Sequence, residues 1–190
     1  MPLKHIAFHG TERDPWIKSQ ARWLELSVSA GGLRSAWAAI GVDEARAVFD
    51  WESDDALRGF MEHSHHRALA DAGTVGRSAV LHLSPVIDLG GRGEAQHVGE
   101  SIAWIKDNGD ERWLESQRIW AAAMRETDGF VGGYVARGRR TYVTTSFWRD
   151  EPAHERFMRN VVPGLRGRTS DEQVARLARF TGEIIPTLCR

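Results

Sequence analysis

Three closely spaced histidines, His63, His65 and His66, are the residues whose type and spacing most directly suggest chemistry. An imidazole titrates near neutral pH, so it can bind a metal or exchange a proton. On a helical wheel that starts at Met61, His65 lies near the edge of the apolar face, whereas the other two point to solvent. Because metal ligands must converge, we expect no metal site. His65 is then either an acid or base, or a hydrogen-bonded structural histidine.

Two tryptophans and a glutamine share one face of a predicted helix, since Trp16, Gln20 and Trp23 stand at positions i, i+4 and i+7. Packing of this face against a sheet explains the tryptophans without a ligand. The glutamine is unusual there, because a buried amide needs partners for its donors and its acceptor. We favour a structural hydrogen bond over an amide that points into a cavity, because the whole trio recurs later in the chain.

The tryptophans reveal an internal repeat, because three of them recur at a constant spacing of 97 residues. Tryptophan is rare, so three such pairs indicate a duplicated module. The predicted modules are residues 1–90 and 99–190, joined by a polar, glycine-rich linker at 91–98. Matching pairs include Trp16/Trp113, Gln20/Gln117, Trp23/Trp120, Gly32/Gly129, Trp51/Trp148, Ala56/Ala153, Phe60/Phe157, Met61/Met158 and, one gap earlier, Ile6-Ala7-Phe8 with Ile102-Ala103-Trp104.

Each module predicts the order β-α-β-β-α-β, a ferredoxin-like unit in which helices cover one face of an antiparallel sheet. In module 1, Asp14 signals a helix start, and Ser53 caps a second helix that is followed by a turn at 73–76. Module 2 carries an insertion of unassigned role at 160–169, which is predicted to interrupt its second helix. Residues 171–180 predict a further helix, and residues near 182–188 predict the final strand. The predicted fold class is α+β with two tandem ferredoxin-like modules.

The composition is that of an ordinary globular protein and disfavours several classes of partner. The 190 residues carry a formal net charge of -1 with both signs interspersed, so no basic stripe favours nucleic acid. No apolar run has the length of a membrane span, and the first residues lack the apolar core of a signal peptide. Cys189 is the single cysteine and makes no internal disulfide. We expect a cytoplasmic protein without nucleic-acid or membrane partners.

One segment of module 1 is similar to a known family. The run Trp51-Glu52-Ser53-Asp54-Asp55-Ala56-Leu57, then Phe60-Met61, then His65-His66-Arg67-Ala68-Leu69, resembles the strand-to-helix segment of the antibiotic biosynthesis monooxygenase-like family. In module 2, Val162 takes the place of His65. The resemblance implies a dimeric α/β barrel, formed here within one chain as an intramolecular pseudo-dimer, with one cavity per module between sheet and helices. Further self-association is left open.

The resemblance also implies an activity, the cofactor-independent oxygenation of an aromatic or polyketide-like small molecule. In module 1, His65 would take a proton from a phenol or hydroquinone-like substrate, whose anion passes an electron to O₂. Trp51 and Trp37 would stack on the substrate ring, and Arg34 or Gln20 would steady the oxyanion. Module 2, which lacks this histidine, would serve as a scaffold or lid. No metal or other cofactor is predicted.

Two other functions are weighed against this one. A non-catalytic module that binds a small apolar ligand, or pairs with a partner, needs none of the chemistry assigned to His65. Haem degradation fits less well, because the related haem degraders place an asparagine on their first strand, and neither 5–9 nor 101–106 contains one. For every catalytic function the predicted partner is a small molecule.

Overall fold

The protein forms two compact units, each built around its own sheet and helices. The computed structural model describes residues 2–10, 12–72, 77–169 and 172–190. Unit 1 comprises Met1–Ser84 and Ile184–Arg190, and unit 2 comprises Pro85–Glu183. These limits differ from the predicted modules at one point above all, because the end of the chain belongs to unit 1.

Backbone hydrogen bonds and apolar packing hold this C-terminal segment in unit 1. The N–H of Ile185 donates to the carbonyl oxygen of Ala38 at 2.9 Å, and the N–H of Arg190 donates to that of Ala36 at 3.0 Å. Leu188 is buried in the same apolar core as the first sheet. The strand predicted near 182–188 is therefore wrong in its second half, which is a short 3-10 helix at Pro186–Leu188.

Unit 1 is a four-stranded antiparallel sheet covered by helices. Its elements are β1 (Leu3–His9), α1 (Arg13–Ala30), β2 (Leu33–Ile40), β3 (Glu44–Trp51), α2 (Asp54–His63), α3 (His65–Ala72) and β4 (Arg77–Asp88), whose last residues belong to unit 2. The strand order is β4-β1-β3-β2. Trp16, Trp51 and Phe60 lie in the core between the sheet and the helices α1 and α2.

Unit 2 repeats this plan with different helices. Its elements are β5 (His97–Ile105), α4 (Asp110–Arg125), β6 (Phe130–Arg137), β7 (Thr141–Trp148), α5 (Glu151–Asn160), α6 (Val162–Arg166) and β8 (Val174–Ile184). The antiparallel strand order is β8-β5-β7-β6. The second helix is interrupted at Val161, within the predicted insertion at 160–169, and α6 follows the break. Unit 1 has the corresponding break at Ser64, 97 residues earlier, so the interruption is not specific to module 2 as predicted.

The helix predicted at 171–180 is wrong. Residues 170 and 171 lie outside the described residues, and β8 occupies the chain from Val174 onward. The buried positions at its end, Phe180, Gly182 and Ile184, follow each other at every second residue. This period of two is that of a strand with one buried face. The alternation, more than the helix-forming residue types, decides the structure here.

Two helix starts in unit 1 differ in how closely they follow the sequence signals. The hydroxyl of Ser53 accepts a hydrogen bond from the N–H of Ala56 at 3.1 Å, so the predicted cap of α2 is confirmed. The predicted cap Asp14 is wrong by two residues, because Glu12 precedes the helix and Asp14 lies in its first turn. The single helix predicted after Ser53 is broken at Ser64 into α2 and α3.

The predicted turn at 73–76 lies outside the described residues.

Several pairs matched by the repeat occupy the same structural position in both units. Gly32 and Gly129 have positive φ angles of 73° and 87°. A Cβ atom on either would meet the Cβ of Ala56 or Ala153, respectively. Only glycine combines this left-handed backbone with so close an approach of the following helix. The repeated glycine–alanine pair therefore makes the same packing contact in both units.

The segment predicted as a linker is partly built into unit 2. The N–H of Gln96 donates to the carbonyl oxygen of Trp148 at 3.1 Å, and β5 begins at His97. Within the described ranges, no helix is long and apolar enough to cross a membrane.

Candidate functional site: a cavity in unit 2

A cavity of about 140 Å³ lies in unit 2, between its sheet and its helices. Strands β5, β7 and β8 form its floor, and helices α4, α5 and α6 form its walls. Most of its lining surface is apolar, with a few polar groups. Small-molecule sites in proteins have this character, because apolar walls supply affinity and a few polar groups fix orientation.

Aromatic side chains make up much of the wall. Trp113 and Trp120 come from α4 and Phe157 from α5. Trp120 and Phe157 pack edge to face, with ring centroids 6.2 Å apart and an angle of 66° between the ring planes. The Trp148 ring packs against Phe157, with the two ring centroids 5.1 Å apart. A planar ligand ring would find aromatic faces and edges on this side of the cavity.

His154 is the titratable side chain that the fold places in this wall. It lies on α5, three residues before Phe157, and is only 8% exposed. Its ring is 5.4 Å from Trp148 and 5.2 Å from His97, centroid to centroid. Burial first, and then the neighbouring His97, lowers the pKa of His154 to about 4. The imidazole is therefore neutral at physiological pH and can accept a proton or a hydrogen bond.

Gly99 on β5 makes room for this imidazole. A Cβ atom at residue 99 would lie 2.6 Å from Nε2 of His154, well inside van der Waals contact. Burial of a polar ring without a hydrogen bond is unfavourable. Within the described ranges His154 contacts other rings but has no hydrogen-bond partner for its nitrogens, which leaves them available to a donor group that enters the cavity.

The remaining polar groups at the cavity form a short hydrogen-bonded set. The hydroxyl of Thr144 donates to Oε1 of Gln117 at 2.7 Å. The hydroxyl of Ser146 donates to the carbonyl oxygen of Gly99 and accepts from Nε1 of Trp148, both at 2.9 Å. Nε1 of Trp113 is buried and has no partner among the described residues. The structural bond expected for the helix glutamine is therefore present in unit 2.

Strand pairing shows which residues of unit 1 correspond to this site. The repeat spacing makes Phe49 on β3 the counterpart of Ser146 on β7. Lys4 lies directly opposite Phe49, and Gly99 lies directly opposite Ser146. Lys4 is therefore the counterpart of Gly99. The predicted match of Ile6-Ala7-Phe8 with Ile102-Ala103-Trp104 is therefore wrong by one residue. A shift of one residue along a strand assigns every side chain to the opposite face of the sheet.

Unit 1 fills the corresponding space with its own side chains. Four lining positions become apolar or longer there: Gly99 corresponds to Lys4, Thr144 to Ala47, Ser146 to Phe49 and His154 to Leu57. The ammonium of Lys4 lies 5.4 Å from the ring centroid of Trp23 and donates to the Met61 sulfur at 3.4 Å. Phe49 belongs to the unit 1 core. These substitutions explain why the cavity described above lies in unit 2.

The predicted base His65 begins α3 in unit 1, away from the cavity. Its ring packs edge-on against Trp23 with centroids 5.3 Å apart. Burial, then the positive charges of Lys4 and His66, lowers the pKa of His65. The helical wheel that placed it relative to Met61 assumed one continuous helix, and the break at Ser64 changes its direction. Its catalytic role stays a prediction.

The other predicted site residues lie on two different faces of the unit 1 sheet. Trp51 packs on Phe60 on the helix side, with ring centroids 5.1 Å apart. Gln20, on α1, is also buried on that side, and its Oε1 has no partner among the described residues. Trp37 lies opposite Val48, which alternates with the helix-facing residues of β3. Trp37 and Trp51 therefore cannot stack on the two sides of one ring.

Arg34 lies with Trp37 rather than with His65. The Nε of Arg34 is 3.4 Å from a carboxylate oxygen of Asp50, and Asp50 alternates with the helix-facing Phe49 and Trp51 along β3. Burial raises the pKa of Asp50, and the nearby guanidinium of Arg34 partly opposes this. Arg34 is thus an ion-pair partner on the sheet face away from the helices.

Acid is expected to destabilise the protein through His154. Its folded pKa of about 4 lies below the ordinary value of 6.5, so the unfolded chain takes up a proton that the folded one does not. Stability is therefore lost as pH falls from 6.5 towards 4, by about 3 kcal/mol. Urea unfolding at pH 7 and pH 4 measures this loss.

The control for this prediction is His154→Leu, which introduces the residue found at the counterpart position in unit 1. The variant should lose less stability on acidification than the unmutated protein, by about 3 kcal/mol, because the ordinary titration of carboxylates is common to both. Equal losses in the two proteins would show that His154 is not buried as described.

The chain matches no protein-family model and no curated protein. Solved structures with the same fold exist at low sequence identity. A protein proposed to be a monooxygenase, from Lactobacillus acidophilus NCFM, has a TM-score of 0.69 at 10% identity, over 97% of this chain and 93% of that one. An anthrone oxidase-like protein has a TM-score of 0.66 at 13% identity, over 97% and 91%.

A third structure links this fold to the predicted family. It is an uncharacterized ferredoxin fold protein related to antibiotic biosynthesis monooxygenases, from Listeria monocytogenes 4b F2365, with a TM-score of 0.56 at 10% identity over 97% of this chain and 96% of that one. The predicted fold class, two tandem ferredoxin-like modules of the dimeric α/β barrel type, is confirmed. At this identity the likeness concerns the fold, and function has to be argued from the site.

Proposed function

We propose that this protein is a cofactor-independent monooxygenase for an aromatic small molecule, with its reaction site in the cavity of unit 2. One observation carries the proposal above others: a neutral, buried imidazole, His154, faces an aromatic-walled cavity without a hydrogen-bond partner in the described part of the chain. The names of the structurally similar proteins, which include a proposed monooxygenase and an anthrone oxidase-like protein, agree with oxygen chemistry.

The reaction fits a phenolic substrate. His154 accepts the proton of the phenol, and the resulting electron-rich anion passes an electron to O₂. Recombination forms a carbon–oxygen bond on the ring. Loss of water then leaves a quinone, so one atom of O₂ enters the product and the other leaves in water. The substrate supplies all four electrons, and no external reductant is required.

Because His154 is a weak base, the reaction depends more on groups that stabilise the phenolate anion than on the basicity of the imidazole. With a pKa of about 4, the imidazole is a weak base towards a phenol, so proton transfer proceeds only if the phenolate is held by donors. The amide of Gln117 and the indole N–H of Trp113 are buried donors at the cavity. Such preorganised donors contribute most where water is excluded.

The test is oxygen consumption with a panel of phenols and hydroquinones, using protein treated with a chelator. The proposal predicts uptake of one O₂ for each substrate consumed, and with ¹⁸O₂ it predicts one labelled atom in the quinone and one in water. Both measurements use the full chain. Absence of uptake with every compound, in protein that binds those compounds, would contradict the proposal.

The second candidate function is non-catalytic binding of the same kind of ligand. The observation that favours it is the aromatic-lined cavity with the buried His154 in its wall. Burial lowers the pKa of His154 to about 4, and a hydrogen-bond acceptor of low basicity holds a hydroxyl group without removing its proton. Saturable binding without oxygen uptake is the expected result for such a protein.

The site predicted in module 1, with His65 as base, remains a distinct proposal. Gln20 and Trp51 lie on the same side of the unit 1 sheet as the helices, whereas Arg34 and Trp37 lie on the other. Only part of the predicted set can therefore act together. A reaction that depends on His65 and not on His154 would favour unit 1.

A further inference from the structure

Two arginines lie on the solvent side of the unit 2 cavity. Arg166 comes from the end of α6, and Arg179 comes from β8. Both are exposed, and neither forms an ion pair within the described ranges. An arginine presents a fork of donors that matches a carboxylate in two parallel hydrogen bonds. The mouth of the cavity therefore carries two cations that are available to a ligand.

Among the described residues that line the cavity, no carboxylate faces these arginines. Glu100 is the acidic residue among those that line it. It stands on β5 between Gly99 and Ser101, which both face the cavity, so its side chain points to the other face of the sheet. Glu100 is only 5% exposed. The charge presented to a ligand is therefore positive at the mouth, whereas the inner wall, with His154, is neutral.

The mouth also presents apolar surface. Met158 on α5 and Leu177 on β8 are 38% and 39% exposed, which is high for large apolar side chains, and both line the cavity. A ligand that enters covers them and removes this surface from water. The gradient from apolar wall to cationic rim suits a molecule that is apolar in its middle and anionic at its outer end.

The size of the cavity limits the ligand to a single ring. A cavity of about 150 Å³ engineered in another protein holds benzene, and the cavity here is about 140 Å³. A fused polycyclic ligand would not fit within the walls without displacing them. A carboxylate on a single ring would extend outward to the open mouth and therefore adds little to the volume required inside.

We propose that the ligand of this cavity is a single-ring hydroxylated aromatic acid. Its ring lies among Trp113, Trp120 and Phe157, its hydroxyl group points inward to His154, and its carboxylate lies at Arg166 and Arg179. The inference rests on the proposed function only for the choice of the unit 2 cavity as the site. It holds equally for catalysis and for binding.

The test is a comparison of two probes that differ only at the outer substituent, 4-hydroxybenzoate and 4-hydroxybenzyl alcohol. Calorimetric titration at pH 7.5 is expected to show the acid bound about tenfold or more tightly than the alcohol, since a charge-assisted contact contributes at least that factor. The double variant R166Q/R179Q is expected to lose this preference and to bind the alcohol unchanged.

A second double variant controls for net charge. R118Q/R159Q removes two exposed arginines of α4 and α5 that pair with Glu115 and Glu155 and that are not among the lining residues. It should keep the preference for the acid. Binding of the alcohol as tightly as the acid, no binding of either probe, or equal behaviour of the two double variants would overturn the inference.

Oxygen uptake separates this inference from the proposed function. Tight, arginine-dependent binding of the acid without oxygen uptake supports the ligand class and contradicts the monooxygenase. Oxygen uptake in which the acid is no better a substrate than the neutral phenols, and in which R166Q/R179Q oxidises the acid as fast as the unmutated protein does, supports the monooxygenase and contradicts the ligand class.

Discussion

Replacing His154 by leucine is expected to lower the rate of oxygen uptake by about a hundredfold or more. His154 is the proton acceptor of the proposed reaction, and a positioned acid or base contributes a factor of roughly 10² to 10⁴. Leucine has no atom that could accept the proton. Because Leu57 occupies the counterpart position in unit 1, where it is buried in the core, a leucine suits this position and the variant should fold.

The matched control is His65→Ala in unit 1. It removes the histidine predicted from the family resemblance and leaves the unit 2 cavity untouched, so oxygen uptake should stay within about twofold of the unmutated protein. Oxygen uptake by each variant, together with its circular dichroism spectrum, makes the comparison. If His65→Ala abolishes uptake and His154→Leu does not, the reaction site lies in unit 1 instead.

Replacing Lys4 by methionine is expected to stabilise the protein at pH 7 by about 2 kcal/mol. Lys4 is 4% exposed, and burial lowers its pKa from 10.5 to about 8. The penalty for burying the ammonium amounts to about 3 kcal/mol, and loss of its contact with the Trp23 ring offsets about 1 kcal/mol. Methionine keeps a long unbranched chain in the same space.

The pH dependence of the free energy of unfolding is an independent test that the buried ammonium of Lys4 destabilises the protein. Because the folded pKa of Lys4 is depressed, the unfolded chain holds one more proton between pH 8 and 10.5, so stability rises with pH across that window. Lys4→Met should abolish this rise. Lys18→Met, at an exposed position of α1, should change stability by no more than about 0.5 kcal/mol. Destabilisation by Lys4→Met would show that the ammonium makes a favourable interaction in the core.

Much of the fold could be predicted because its signals are local. The constant spacing of the tryptophans and the alternation of strands, turns and capped helices predicted both ferredoxin-like modules. Ser53 and its counterpart Asp150 cap helices α2 and α5, as short polar side chains before an apolar helix face do. Where the prediction was wrong, at β8, residue types that suit a helix were overridden by pairing with β5.

The location of the cavity could not be predicted, because it depends on register. Matching Ile6 with Ile102 put the first strands of the two modules one residue out of register, and a slip of one residue exchanges the two faces of a strand. Only the strand pairing shows that Gly99 replaces Lys4 beneath the helices. A glycine in place of a lysine is what opens the space that His154 occupies.

One signal for His154 was present in the sequence. At the repeat spacing it replaces Leu57, so a titratable side chain stands where the other module has an apolar one on the helix face that packs against the sheet. The resemblance drew attention to His65 instead, because the family motif lies in module 1. A comparison of the modules for unlike residues, as well as for like ones, would have identified His154.

Binding of the ligand in unit 2 can be observed in the indole N–H signals of the eight tryptophans in a two-dimensional ¹H–¹⁵N NMR spectrum. Individual Trp→Phe variants assign the signals. Titration with 4-hydroxybenzoate is predicted to shift those of Trp113 and Trp120 and to leave their unit 1 counterparts, Trp16 and Trp23, in place. Shifts confined to Trp16 and Trp23 would show that the ligand binds in unit 1 and not in the unit 2 cavity.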